Sequence, residues 1–295
     1  MKYKRVLIFV LLLQTVLLFG CVRRQAARDM QNGVDAFRQE RWDDAAAFFT
    51  LAEEKRPGQV SVLMLRGICY LKLSRFAEAA GDFDRVLTFQ PENNEARKGR
   101  GEANLGLGRY VEAAEDFSRA LSIEPNDVNL LNNRGFALSN LGDFDAALAD
   151  FNTALEAEPE NPLIYYNRSA VRRRSGDTAE ALEDLNRCVE LDGENALFLA
   201  SRGKITAELG DLDRAMDDFN RAIAKNPNYF GGFKFRAEGH KALGQWEEAF
   251  DDYSRAIELQ PNDPQLWFDR AATAIQLDRE EDYDRDMAKY EELTK

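Results

Sequence analysis

Residues 128–161 read VNLLNNRGFALSNLGDFDAALADFNTALEAEPEN. Gly142 ends a first helix, because a left-handed C-terminal cap accepts a residue with no Cβ. Pro159 stops a second helix, since its ring cannot continue one. The stretch is therefore a helix–turn–helix unit, and its neighbours repeat it. Gly135 belongs to a column of small residues spaced 34 apart, at Gly33, Gly67, Gly101, Gly135, Ser169, Gly203, Ala237 and Ala271. A second column runs Phe49, Phe83, Phe117, Phe151, Leu185, Phe219, Tyr253 and Met287. No insertion breaks the period. A fixed period of this length marks a stacked array, in which each unit buries its apolar face against the next. Small residues let two helix axes approach, and the aromatic fills the space between them.

These columns resemble the tetratricopeptide repeat at its signature positions over residues 26 to 295. The resemblance implies an all-α fold: a right-handed superhelical α-solenoid of eight tandem helix-turn-helix pairs, at 26–59, 60–93, 94–127, 128–161, 162–195, 196–229, 230–263 and 264–295. The last pair is degenerate and caps the array: Tyr283, Met287 and Tyr290 stand where earlier repeats carry other residues. In this family the first helices line a concave groove.

Composition narrows the function. The 295 residues carry a net charge of −13, which becomes −16 without Lys2, Lys4 and Arg5. A body this acidic repels phosphate backbones, so nucleic acid is not an expected partner. One histidine and three cysteines argue against zinc sites and disulfide frameworks. Cys69 and Cys188 fall in the helical core pattern and read as small buried thiols.

The N-terminus reads as an address. Lys2, Lys4 and Arg5 precede an apolar run from Val6 to Phe19, the layout of a secretory signal over residues 1–20. The run ends Leu18-Phe19-Gly20-Cys21, which resembles the bacterial lipobox; Phe19 departs from the small or β-branched residue usual there. The resemblance implies lipidation of Cys21, a short linker over residues 21–25, and a lipid-anchored protein of the bacterial cell envelope. Val22 after the cysteine favours the outer membrane, facing the periplasm.

Seven repeats place an arginine before the small residue (Arg66, Arg100, Arg134, Arg168, Arg202, Arg236, Arg270) and an aspartate before the aromatic column (Asp82, Asp116, Asp150, Asp184, Asp218, Asp252, Asp286). The first repeat has neither. Their joint absence predicts a structural ladder within repeats, exemplified by Arg134 with Asp150 and Arg168 with Asp184, rather than a ligand-binding arginine column. Five repeats add an arginine three residues after the aspartate, which competes for it.

Carrying the groove over from the family, its residues are apolar near the N-terminus (Met30, Val34, Met64, Ile68). They turn polar to basic in the middle: Asn129, Asn132, Asn133, Tyr166, Asn167, Arg173, Arg174 and Lys204. Asparagine offers donor and acceptor, which suits gripping an extended peptide backbone. Tyr166 and the arginine pair suit an acidic or aromatic side chain. A merely solvated face is the competing reading of the asparagines. Asn133 and Asn167 are similar to two rungs of the asparagine ladder in the O-linked N-acetylglucosamine transferase repeats. Tyr166 to Ser169 also looks like the middle of a co-chaperone carboxylate clamp, but Asn132, Phe136, Leu197 and Ser201 depart from that clamp. Repeat seven begins Tyr229-Phe230-Gly231-Gly232; a late helix start is preferred there over a hinge.

No nucleophile motif, phosphate loop or metal-ligand cluster appears, so neither catalytic residues nor a metal nor any cofactor is expected. Asp217-Asp218 and Asp251-Asp252 recur with the period and read as helix surface, and His240 as packing. The expected function is a membrane-tethered scaffold that binds a protein or extended peptide in its groove, supporting envelope assembly, secretion or pilus biogenesis. An adaptor or regulator of peptidoglycan enzymes or proteases is the alternative, and an enzyme the remote one.

Overall fold

The computed structural model describes residues 22–295, and the signal-like run and Cys21 lie outside the described residues. Sixteen helices and no strand occur among the described residues. Helix α1 spans 22–38. It is followed by α2 (Trp42–Lys55), α3 (Val60–Lys72), α4 (Phe76–Phe89), α5 (Asn94–Gly106), α6 (Tyr110–Leu121), α7 (Val128–Leu141) and α8 (Phe144–Ala157). Then come α9 (Pro162–Ser175), α10 (Thr178–Leu191), α11 (Ala196–Glu208), α12 (Leu212–Lys225), α13 (Phe230–Ala242), α14 (Trp246–Leu259), α15 (Pro264–Gln276) and α16 (Glu280–Thr294). The described residues form an all-α repeat solenoid in two compact units that divide between Ala154 and Leu155.

Within each unit the odd-numbered helix packs against the even-numbered helix that follows it, and the even-numbered helix packs against the first helix of the next pair. The turns explain the helix ends. Gly142 sits at φ +84°, and its N–H returns to the last carbonyls of α7. Glu40, Ser74 and Asp278 hold the same left-handed turn without glycine, at φ 55–56°, where a Cβ costs about 1–2 kcal/mol. Several first helices have their starts capped by side chains: Asn93 accepts from Ala96 N, Asp127 from Leu130 N, and Asn161 from Leu163 N.

The core is the aromatic column set against small residues. In the first unit Phe49, Phe83, Phe117 and Phe151 are fully buried. A Cβ added at Gly67 would meet the Phe83 ring at 2.8 Å, and one at Gly99, on the next pair, at 2.5 Å. The Phe83 ring therefore fills a space that two successive first helices leave open only by lacking a side chain. In the second unit Phe219 does the same against Gly203, where a Cβ would come within 2.6 Å. Tyr253 and Leu185 occupy the equivalent buried sites.

Two expectations change in detail. Helix α13 starts at Phe230, in register with α11 and α15, so Gly231 and Gly232 lie buried in its first turn rather than before it. Ile223 explains Gly232: a Cβ there would meet its side chain at 3.0 Å. His240 is not simply packed. Its Nδ1 lies 2.6 Å from Gln245 Oε1, and its Nε2 lies 3.7 Å from Asp252 Oδ2. Cys69 and Cys188 are free and buried, and burial pushes both thiols up to about 12. Neither is a thiolate near neutral pH.

Candidate functional site

The repeated charges form a framework. Arg134 on α7 donates from Nε to Asp150 Oδ2 at 2.8 Å and from Nη2 to Oδ1 at 2.6 Å, across to α8. Arg168 makes the same fork with Asp184 at 3.0 and 2.6 Å. The other five arginines and aspartates repeat this geometry sixteen residues apart. All seven aspartates are buried. The second arginine of the helix face rarely competes: Arg221 comes within 3.4 Å of Asp218, whereas Arg187 and Arg255 turn to Glu190 and Glu258. The first repeat, lacking the ladder, joins its two helices through Lys55 and Asp29 at 2.5 Å.

Sequence reading missed the other half of this framework. The remaining guanidinium nitrogen reaches back to the preceding pair: Arg66 Nη1 to Thr50, Arg100 Nη1 to Asp84, Arg134 Nη1 to Ser118, Arg202 Nη1 to Asn186, Arg236 Nη1 to Asn220 and Arg270 Nη1 to Ser254, at 2.6–3.4 Å. A hydrogen-bonding residue directly after the aromatic column was the available signal. Within a unit, each arginine therefore ties its own two helices and the previous repeat with one planar group.

The groove candidates separate into two sets. Asn129, Asn132 and Asn133 lie on α7 of the first unit, with Asn129 exposed and the other two half-buried. In the second unit Tyr166, Arg173 and Arg174 of α9 meet Lys204 of α11 around one pocket, while Asn167 lies on α9 outside its lining. The pocket holds about 220 Å³. Leu185, Ile205, Ala170 and Phe235 supply its apolar surface. Tyr166 packs on Phe198 with ring centroids 5.7 Å apart, which fixes its ring. Lys204 Nζ lies 4.7 Å from the Phe235 ring centre, a cation–π distance. Arg173 is already engaged: Glu208 holds it through Nε and Nη2 at 2.7–3.0 Å, and this bond raises its pKa. Phe235, which sets Lys204 in place, was not among the site residues read from the sequence.

No group of carboxylates, histidines and cysteines that could hold a metal occurs among the described residues. No helix among them is long and apolar enough to cross a membrane.

Comparison with known proteins agrees with the architecture. Family models described as tetratricopeptide repeat match residues 30–93, 70–128 and 170–230, and residues 109–172; one described as TPR repeat matches 240–278. A search of curated proteins found no match. Among solved structures, a tetratricopeptide repeat protein from Parabacteroides merdae is similar at TM-score 0.73 and 17% identity, over 85% of this chain and 99% of that one. The Cut9–Hcn1 hetero-tetramer of the APC/C is similar at TM-score 0.66 and 16% identity, over 88% of this chain and 52% of that one. A MamA RS-1 double mutant is similar at TM-score 0.53 and 19% identity, over 57% of this chain and 94% of that one. Identities this low speak to the fold alone. Such repeats generally mediate protein–protein interactions, and their fold is typically a non-catalytic scaffold. By its period, its helix pairs and the family models that match along it, the chain belongs to the tetratricopeptide repeat family.

Proposed function

We propose that the chain is a non-catalytic scaffold that binds an extended segment of a partner protein, with the α9–α11 pocket of the second unit as its anchor point. The observation that carries this reading is a pocket with apolar walls and three cations, Arg173, Arg174 and Lys204, in a chain whose net charge is −13. An acidic or aromatic side chain suits it: the ring or stem meets Leu185, Ile205 and Phe235, and the charge meets Arg174 and Lys204. Photocrosslinking residues placed at Tyr166 and Lys204 in cells are expected to trap a shared set of proteins. Residues placed at Glu183 and Asp251, on exposed faces of the second helices, are expected to miss that set. The same proteins trapped from the pocket positions and from Glu183 and Asp251 would refute the assignment.

The scaffold is proposed to be lipid-anchored at Cys21 and to serve envelope assembly, secretion or pilus biogenesis. The support is the basic start, the short apolar run and Gly20-Cys21. Cys21→Ser is expected to move the chain from the membrane pellet to the soluble fraction. An unchanged membrane fraction would count against the anchor.

A further inference from the structure

The first unit carries a second cavity of different chemistry, between α3 and α5. It holds about 390 Å³ and is walled by Met64, Ile68 and Leu71 of α3, by Phe76 and Phe83 of α4, and by Glu102 of α5. Gly99 forms part of the floor, where the Phe83 ring takes up the space a side chain would need.

The charges around it are unequally paired. Lys98 at the rim is held by Glu124 at 2.7 Å, Glu95 at 3.3 Å and Asp127 at 3.5 Å. It has no capacity left for Glu102. Glu102 makes no hydrogen bond or ion pair among the described residues, and Lys72 acts on it only through space. Four carboxylates thus face two lysines, and the one carboxylate without a bonded partner borders the apolar wall. Glu238 in the second unit stands at the same repeat position, but Lys204, Lys234 and Lys241 all draw its charge. Glu102 has one cation where Glu238 has three.

We infer that this cavity binds a peptide segment carrying an aliphatic side chain next to a lysine or arginine. The aliphatic group enters between Met64, Ile68 and Phe76, and the cationic head pairs with Glu102. A cation that arrives on an apolar stem matches such a wall, since its methylenes cover apolar surface while its head meets the carboxylate. The state of Glu102 agrees with this. The side chain is reachable by solvent, yet the protein around it disfavours its charge and raises its pKa, with Lys72 opposing. A carboxylate with a raised folded pKa gives stability that is present in acid and lost as the pH rises through that pKa. A bound cation would oppose that shift, as Lys72 does. The inference does not rest on the α9–α11 pocket, and either can fail without the other.

The test uses the purified chain with labelled Met and Ile methyl groups. The probes are the blocked peptides acetyl-Gly-Leu-Arg-Gly-amide and acetyl-Gly-Leu-Glu-Gly-amide. The arginine peptide is expected to shift the Met64 and Ile68 methyl signals with saturation, and the glutamate peptide is expected to bind at least about tenfold more weakly, the scale of one charge-assisted hydrogen bond. Glu102→Gln is expected to remove that preference while leaving the melting temperature unchanged in acid and equal or higher at neutral pH. Met64→Ala is expected to weaken both peptides together. Equal affinity for the two peptides, an undiminished preference in Glu102→Gln, or methyl shifts that follow protein concentration rather than peptide would overturn the inference. So would a Glu102→Gln melting temperature that falls at neutral pH, which would make the residue structural.

Discussion

Replacing Asp150 with alanine is expected to cost about 3–5 kcal/mol of unfolding free energy, the range for breaking a buried ion pair by removing one partner. Asp150 is 5% exposed and takes two bonds from Arg134. Its loss leaves a half-buried guanidinium that cannot shed its proton; the hydrogen bond to Asp150 raises its pKa further. Removing both charges behaves differently. Arg134→Met with Asp150→Val stays close to the original volume and removes both charges, so the double variant is expected to recover most of the loss. Urea denaturation of the two singles and the double measures this directly. If the double is only as stable as the singles add up to, the two residues do not act as a pair. The exposed pair Arg75–Glu78, nearly half-exposed on both sides, is the control, and Glu78→Gln is expected to change stability by less than about 1 kcal/mol. Because Arg134 also reaches Ser118 on the preceding pair, Asp150→Ala is further expected to broaden the transition as neighbouring repeats lose coupling.

The fold was legible because the period writes the same packing problem eight times. Gly67 and Phe83 sit sixteen residues apart in sequence and in contact in space, and every other repeat restates a version of that pair. The arginine and aspartate columns were legible for the same reason, since a missing arginine and a missing aspartate coincide in the first repeat. What does not repeat was harder to read. The bidentate hold of Glu208 on Arg173 joins residues of neighbouring first helices that recur in no other repeat. Lys204 over Phe235 is likewise a single occurrence. Nothing in the pattern singles out Glu102, because its lack of a partner depends on Lys98 being held by Glu95, Glu124 and Asp127, three positions that the pattern does not connect. Even Gly231-Gly232 misled for a local reason. Two adjacent glycines disfavour a helix by about 1 kcal/mol each, but close packing of Gly231 against Tyr229 and of Gly232 against Ile223 favours them at the start of α13.

The aromatic column yields the other large effect. Phe83→Ala is expected to cost about 3–5 kcal/mol, the range for truncating a fully buried phenylalanine. Its ring touches the space above Gly67 in its own pair and above Gly99 in the next. One truncation thus opens both the intra-repeat and the inter-repeat contact, and unfolding of the first unit is expected to lose cooperativity as well as midpoint. A sign change separates this account from simple loss of apolar area. In the natural chain Gly99→Ala puts a Cβ 2.5 Å from the ring, and the overpacking of about 1–3 kcal/mol is expected to outweigh the gain of about 1 kcal/mol in helix propensity. In a Phe83→Leu background the ring is gone, the clash is relieved, and the same Gly99→Ala change is expected to stabilise. Equal costs in the two backgrounds would mean that the glycine is not there for the ring, and that the coupling of one repeat to the next runs through the arginine ladder alone.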